Sequence, residues 1–386
     1  MSGKVSVRIV NTDPLLVSDG KKVYHCRDFP KDVHIGNWVK CSLSNGECIF
    51  ISGDTVSQTD FPGYEWTRLQ FPDSRGRSRM DALRFRARVM NQTRKYFDSR
   101  GFMEVETPLS VLSPGVETHL CAIQVGADRF LSPSPEFQMK RLLAGGSGSI
   151  YQITKCFRDD ETGRFHNPEF TMIEWYNVGA DAPELMEDVE GLILHLKTNI
   201  DCPGELPLPP YKRISVAEAF KEYAGIDNYR DPPDVLLAKA GIQETTTNWE
   251  EAFFRVFVEK VEPGIYSSGP CFLTKWPKEF ASLSRLSPED PLTSERFEFF
   301  AGGLEIANGF HELTDYIAQK ERSSGELEER KRDGKPLYPL DNRFLNSLAE
   351  AMPETAGIAC GIDRLVMLLW GAESISQVLS FTADEL

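Results

Sequence analysis

The sequence predicts an α+β protein, an antiparallel sheet flanked by helices and preceded by a small β module. Three observations carry this. Residues 79–99 have helical spacing, with Leu83, Ala87, Met90 and Phe97 on one stripe, and the short strand 102–107 after them is ended by Pro108. Residues 157–176 and 294–315 each run as alternating segments around a glycine turn, the pattern of hairpins. Residues 357–371 read as a glycine-punctuated apolar strand that feeds an apolar helix.

The totals agree with a globular protein. The chain has 386 residues, of which 41% are hydrophobic and 26% charged, enough for two or three domains and a sizeable core. Its formal charge of −15 argues against broad non-specific nucleic-acid binding, which needs clustered Lys and Arg. Eight cysteines occur without a Cys-x-x-Cys pair or zinc-finger spacing, so we expect reduced core thiols. No signal-like segment and no run of about 18 apolar residues is present. We therefore expect a cytoplasmic protein with no membrane partner.

Taken in order, residues 1–70 read as a small β-barrel-like module. Val39, Cys41 and Leu43 alternate, Asn45-Gly46 turns the chain, and 47–52 runs back. The module carries eight basic and eight acidic residues, so the net acidity lies downstream. Residues 71–79 read as a linker, rich in Arg, Gly and Pro. The domain that carries the chemistry is expected over 80–386. Its first helix stops at Gly101, a C-cap residue. Ser134-Pro135-Glu136 is a rigid loop that can present the Ser134 hydroxyl and Glu136 to a ligand. A helix starts at that point, and Gly145–Gly148 reads as a turn.

Residues 158–176 are dense in chemistry. Arg158 and Arg164 can fork onto phosphate or carboxylate oxygens. Phe170 offers a face to a base. Glu174 and Tyr176, two apart on a strand, share a face and can hold an ammonium group. Residues 177–290 read as a mostly helical insertion with no catalytic cluster of its own, with helices expected at 215–224 and 249–260. Residues 294–315 read as two antiparallel strands joined near Gly302-Gly303. Glu298 and Glu305 are expected to face each other across them, an arrangement that needs a cation such as Mg²⁺. Residues 317–350 alternate in charge sign and read as a solvated helical stretch. Arg364, where the last strand meets its helix, can reach phosphates.

Three of these runs resemble the ordered motifs of class II aminoacyl-tRNA synthetases. Helix, strand and proline at 79–108 resemble motif 1, which forms a dimer interface. Residues 158–176 resemble motif 2 of the lysyl-tRNA synthetase branch, and 357–371 resemble motif 3. The wording of residues 166–176 and 305–315, with Ala359 where lysyl-tRNA synthetases carry glycine, is similar to the elongation factor P–(R)-β-lysine ligase family. The resemblance covers about residues 80–386.

It implies a fold, a reaction and a set of roles. The fold is the class II synthetase catalytic domain. The reaction is ATP-dependent formation of an aminoacyl-adenylate from (R)-β-lysine or lysine, then transfer to a lysine side chain of elongation factor P. By motif, Arg158 and Arg364 would be catalytic. Arg158, Asp159, Asp160, His166, Asn167, Phe170, Glu305, Ile306, Gly361 and Arg364 would bind ATP. Ser134, Pro135, Glu136, Glu174, Tyr176, Asn308, Phe310, Glu312 and Ala359 would bind the amino acid, and Glu298 with Glu305 would ligate Mg²⁺. Asp160 is one methylene shorter than the family's usual glutamate. A homodimer is expected, and tRNA binding is not. The alternatives are a truncated lysyl-tRNA synthetase that charges tRNA and an inactive paralogue that acts as a regulatory binding protein.

Overall fold

A computed structural model describes residues 4–12, 15–19, 22–27, 36–44, 47–54, 64–159, 161–350 and 352–386. The chain divides into two units, Met1–Ala82 and Leu83–Leu386.

In the first unit five strands close into a barrel in the order Lys4–Thr12, Leu15–Ser18, Val23–Arg27, Glu47–Asp54, Trp38–Ser44. The alternation expected at Val39 and Cys41 puts both inside, with Val7, Ile9, Val17 and Cys48. The hairpin pairs Ser44 with Glu47, and its Asn45-Gly46 turn lies outside the described residues. Cys26, Cys41 and Cys48 bring their Sγ atoms within 4.8 Å of one another. Burial and neighbouring thiols push the Cys41 thiol up to about 12. The expected linker is more ordered than its composition suggested. It holds a Pro72–Ser78 bridge, and a helix, Tyr64–Gln70, precedes it at the end of the span expected as the β module. The Asp73 carboxylate fixes that loop by accepting the Arg75 and Arg77 N–H groups at 2.9 Å.

The second unit is built on an eight-stranded sheet. Its order is Lys212–Ser215, Cys271–Pro277, Thr293–Ala301, Leu304–His311, Thr355–Gly361, Glu169–Val178, Ile150–Phe157, Met103–Glu104. The two edge pairings are parallel and the rest antiparallel. The antiparallel majority follows from the hairpins, since Gly302 and Gly303 both take positive φ, at 61° and 76°, and close a two-residue turn.

Helices back one face of this sheet. Phe97, on the helix Arg79–Ser99, lies 5.1 Å from Trp175 and 5.0 Å from Tyr151. All three rings are buried, each worth about 2 kcal/mol of transfer free energy. Phe97→Ala would cost about 3–5 kcal/mol by leaving a cavity. The helix Ala182–Asn199 packs beside it and is started by an Asp181 capping box. The opposite face is left for the site.

Two expectations need correction. Residues 177–290 are not a separate insertion. They supply the strands Lys212–Ser215 and Cys271–Pro277 to the main sheet and share a core, including Phe220, Phe253, Leu273 and Phe300, with the strand Thr293–Ala301. The expected helices are present as Val216–Ala224 and Trp249–Val256. The stretch 317–350 is not all solvated either. It forms the helices Tyr316–Arg332 and Asn342–Ala349, and Arg330 is fully buried. Its guanidinium donates to the carbonyls of Pro336, Glu117 and Leu120 at 2.7–2.9 Å and covers the Tyr338 ring at 4.2 Å. Carbonyl acceptors and an aromatic face replace the water that a buried guanidinium loses. Among the described residues no helix is long and apolar enough to cross a membrane.

Candidate active site

The open face of the sheet floors a cavity of about 570 Å³. Strand register explains its lining. Glu174 lies opposite Ala359, Ala359 opposite Asn308, and Asn308 opposite Glu298, one row across four strands. The next row is Tyr176, Gly357, Phe310 and Arg296. All eight residues line the cavity, because residues two apart on a strand share a face. The second row is tight. A Cβ on Gly357 would fall 2.3 Å from the Tyr176 ring and 2.4 Å from a Glu312 oxygen, so only glycine fits there.

One end is acidic. Glu174 is 1% exposed and accepts the Ser134 hydroxyl at 2.6 Å and the Tyr176 hydroxyl at 3.1 Å. Burial, then the charge of Glu136, pushes its carboxyl up to about 8. Glu312 is equally buried, and burial raises it strongly while Lys140 opposes. Its Oε2 meets the Lys140 ammonium at 2.5 Å, and its buried Oε1 has no hydrogen-bond partner. Glu117, on the loop held by Arg330, is pushed up to about 7 by burial and by Glu136. Lys140, buried beneath this end, sits 2.6 Å from Glu136 and 2.5 Å from Glu312.

The other end is basic and aromatic. The Arg158 guanidinium lies 5.2 Å from the Phe170 ring centre and 3.4 Å from Glu161, and its buried Nε has no partner. Arg364 donates to the Glu305 carbonyl at 2.8 Å and meets His166 Nε2 at 2.5 Å. Desolvation and the Arg364 charge hold His166 below its ordinary value, so the ring is neutral and Nε2 accepts. Ile306 and Gly361 complete this wall.

Between the ends Glu298 is buried and bound to Arg296 at 2.5 Å. Burial, then Glu305, raises its pKa while Arg296 opposes. The expected facing of Glu298 and Glu305 takes a different form. Glu298 pairs with Asn308, and Glu305 pairs with Phe300 beyond a bulge. The two acids are neighbours in the cavity wall without being opposite in register.

Of the described residues expected at the site, the cavity gathers all but Pro135, Asp159 and Arg164. Pro135 precedes and caps the helix Glu136–Ala144 and is not part of the wall. Asp159 is exposed outside the cavity, its N–H bound to the Cys121 carbonyl at 2.9 Å. Asp160 lies outside the described residues. Asn167 lines the wall, but its amide donates to the Glu169 carbonyl at 2.7 Å and its oxygen accepts the Ala383 N–H at 3.0 Å. Arg164 turns away and donates to the Glu373 carbonyl at 2.8 Å.

Several neighbours were not anticipated. Lys140 had a sequence signal, since it stands four residues after Glu136 on an expected helix. Arg296 and Gly357 had one too, being two residues from Glu298 and Ala359 on the same strands. Glu117 and His119 sit on a loop and had none. Asp363, next to Arg364 in the chain, is engaged elsewhere. It binds Arg86 at 2.5 Å and the Thr171 N–H at 2.8 Å, which ties two helices to the strand Glu169–Val178.

A mostly antiparallel sheet under a cavity with one acidic and one arginine-lined end agrees with a class II synthetase-type domain. The family model for class II tRNA synthetases (D, K and N) matches residues 65–385. Curated relatives are the elongation factor P–(R)-β-lysine ligases of Proteus mirabilis, 38% identical over 77% of this chain and 93% of that protein, and of Salmonella arizonae, 37% identical over 78% and 94%. The chain belongs to the class II tRNA synthetase family, in the branch of these elongation factor P–(R)-β-lysine ligases.

Proposed function

We propose that this protein is an ATP-dependent ligase that activates (R)-β-lysine or lysine as an aminoacyl-adenylate and transfers it to a lysine side chain of elongation factor P. The observation that carries the reading is the cavity's polarity. The carboxylates of Glu174, Glu312 and Glu136 stand at one end, and arginines beside an aromatic ring stand at the other. A diamino carboxylic acid and a nucleoside triphosphate complement those ends.

Glu174, Glu312 and Glu136, with the Ser134 and Tyr176 hydroxyls, take the ammonium groups. Asn308, Phe310 and Ala359 shape the intervening wall. Arg158 holds the substrate carboxylate and the α-phosphate. Phe170, already covered on one face by Arg158, stacks on adenine with the other, and Asn167, Glu305, Ile306 and Gly361 border the nucleotide. Arg364, aided by His166, takes the far phosphates. A substrate carboxylate oxygen attacks the α-phosphorus, the bond to the β-phosphate oxygen breaks, and pyrophosphate leaves. The acceptor's ε-amine then attacks the activated carbonyl, AMP departs with the bridging oxygen, and the amine loses its proton. Positioning and charge neutralisation suffice, and no protein nucleophile is used.

Mg²⁺ accompanying ATP fits Glu298 and Glu305, because a cation relieves the strain of two acids in one partly buried wall. When bound it would neutralise phosphate charge. We also place the protein in the cytoplasm and expect a homodimer through the helix Arg79–Ser99 and the edge strand Met103–Glu104, measurable by light scattering.

The deciding experiment is ATP–pyrophosphate exchange with (R)-β-lysine and α-lysine, followed by transfer assays to elongation factor P and to tRNA-Lys. Exchange with a lysine isomer and transfer to the protein are expected. Transfer to tRNA alone would replace the acceptor assignment. Absence of exchange with any lysine isomer would overturn the activity.

A further inference from the structure

Lys140 is a buried charged residue at this site that the activation chemistry does not use. It stands one turn after Glu136 on the helix Glu136–Ala144 and is 1% exposed. Its Nζ lies 2.6 Å from Glu136 and 2.5 Å from Glu312, and 6.0 Å from the Phe344 ring, which stacks on Phe137 at 4.3 Å. The lysine is not part of the cavity wall, whereas Glu136 and Glu312 are. The two acids therefore face a fixed cation below and the ligand space above.

Two adjacent buried carboxylates without a cation cannot both stay ionised. A buried ammonium is equally costly without partners. The other titratable groups facing this set are Glu174 and Tyr176 from the strand Glu169–Val178 and Glu117 from its loop, with Arg158 beyond Glu117. All but Arg158 are acids. Lys140 is thus the cation that offsets the acidic end in the free protein. Desolvation alone would lower its pKa, but Glu136 and Glu312 outweigh that and raise it, so it stays charged throughout the range in which Glu312 titrates.

We propose that Lys140 is a positioning residue that sets the charge of the amino-acid pocket. By holding Glu136 and Glu312 as carboxylates from below, it lets the pocket accept an ammonium without first shedding a proton, and so favours lysine-type diamino acids over neutral side chains of equal length. The inference rests on the reading of this end as the ammonium pocket.

The test uses the full chain with Lys140→Met and Lys140→Arg and has two arms. The first is thermal unfolding of the unliganded proteins between about pH 5.5 and about pH 9. Without Lys140 the folded pKa of Glu312 rises further above the unfolded value, so stability is lost as pH climbs from the unfolded carboxylate range through the folded one. The Tm gap between wild type and Lys140→Met is expected to widen with pH, while Lys140→Arg runs parallel to wild type. The double variant Lys140→Met/Glu312→Gln should narrow the gap, and it serves if the single variant folds poorly.

The second arm is pyrophosphate exchange. Lys140→Met should add a dependence of about tenfold in KM per pH unit, KM falling as pH rises, and should lower the preference for lysine over norleucine at neutral pH. A pH-independent Tm gap, or a KM profile parallel to wild type, would overturn the proposal. If wild type activates no lysine isomer, the functional reading fails, and the unfolding arm still decides the role of Lys140.

Discussion

Replacing Glu174 by glutamine probes the ammonium pocket through a single proton. Glu174 is buried, accepts two hydroxyls, and has its carboxyl pushed up to about 8, by burial first and Glu136 second. At about pH 7 roughly nine in ten molecules then carry the proton. An ammonium ligand favours the ionised form, so binding must draw that proton off. The penalty is about 1.4 kcal/mol near pH 7 and vanishes above about pH 8. KM for the lysine substrate should therefore fall about tenfold per pH unit on this account up to about pH 8, then level off. Lys140 stands 2.5 Å from Glu312 and opposes the rise of its carboxyl, so the diagnostic for Glu174 is the loss of one unit of slope. Glu174→Gln cannot ionise. It should lose that unit and raise KM by about tenfold to a hundredfold at about pH 8, where a charged hydrogen bond is lost. Pyrophosphate exchange across the pH range reads this, with KM for ATP as the control. The free protein offers a sign check. A carboxyl whose folded pKa is raised weakens the fold as pH rises from about 4.5 towards about 8, and the glutamine variant should lack that contribution. A wild-type KM that is flat over the range, or a slope unchanged in the variant, would refute the assignment.

Arg158→Ala removes the guanidinium over Phe170 and should lower exchange by about 10²–10³; near-normal exchange would remove Arg158 from the chemistry. Gly357→Ala drives a methyl group into Tyr176 and Glu312 and should raise KM for the amino acid about tenfold or more. KM for ATP should hardly change, and an equal rise in both would point to general misfolding. Arg330→Met strands the carbonyls of Pro336, Glu117 and Leu120 and should lower unfolding free energy by about 3 kcal/mol or more in denaturant titrations. A loss under 1 kcal/mol, a floor set by the usual range for surface substitutions, would mean water replaces the guanidinium.

Much of the site was legible because strand periodicity is a local property. Glu174 with Tyr176, and Asn308 with Phe310, each share a face by spacing alone, and the sheet only had to set their neighbours. Register was not legible. The bulge between Phe299 and Phe300 moves Glu305 off the row of Glu298, and no local pattern encodes one unpaired residue. Arg330 misled for a related reason. Its neighbours alternate in charge as a solvated face does, but besides Pro336 its acceptors are backbone carbonyls some 210 residues away in sequence, and every residue type presents a carbonyl. The strand Cys271–Pro277 was harder to read because, although Thr293–Ala301 follows it closely, its other partner, Lys212–Ser215, lies far upstream and pairs with it in parallel.

Lys140 joins these lines of reasoning. From sequence, Glu136 and Lys140 are an ordinary i, i+4 helix pair, which is worth little on a surface. The fold changes its meaning by burying the lysine and bringing Glu312 to its other side from 172 residues away in the chain. The same two acids then serve two cations, one built in and one brought by the substrate. A pocket lined only with glutamates would fill with protons before it could select an ammonium, since each added acid raises the pKa of the others. The internal lysine breaks that coupling, leaving Glu174, with its two hydroxyl donors, as the acid whose titration the substrate must still drive.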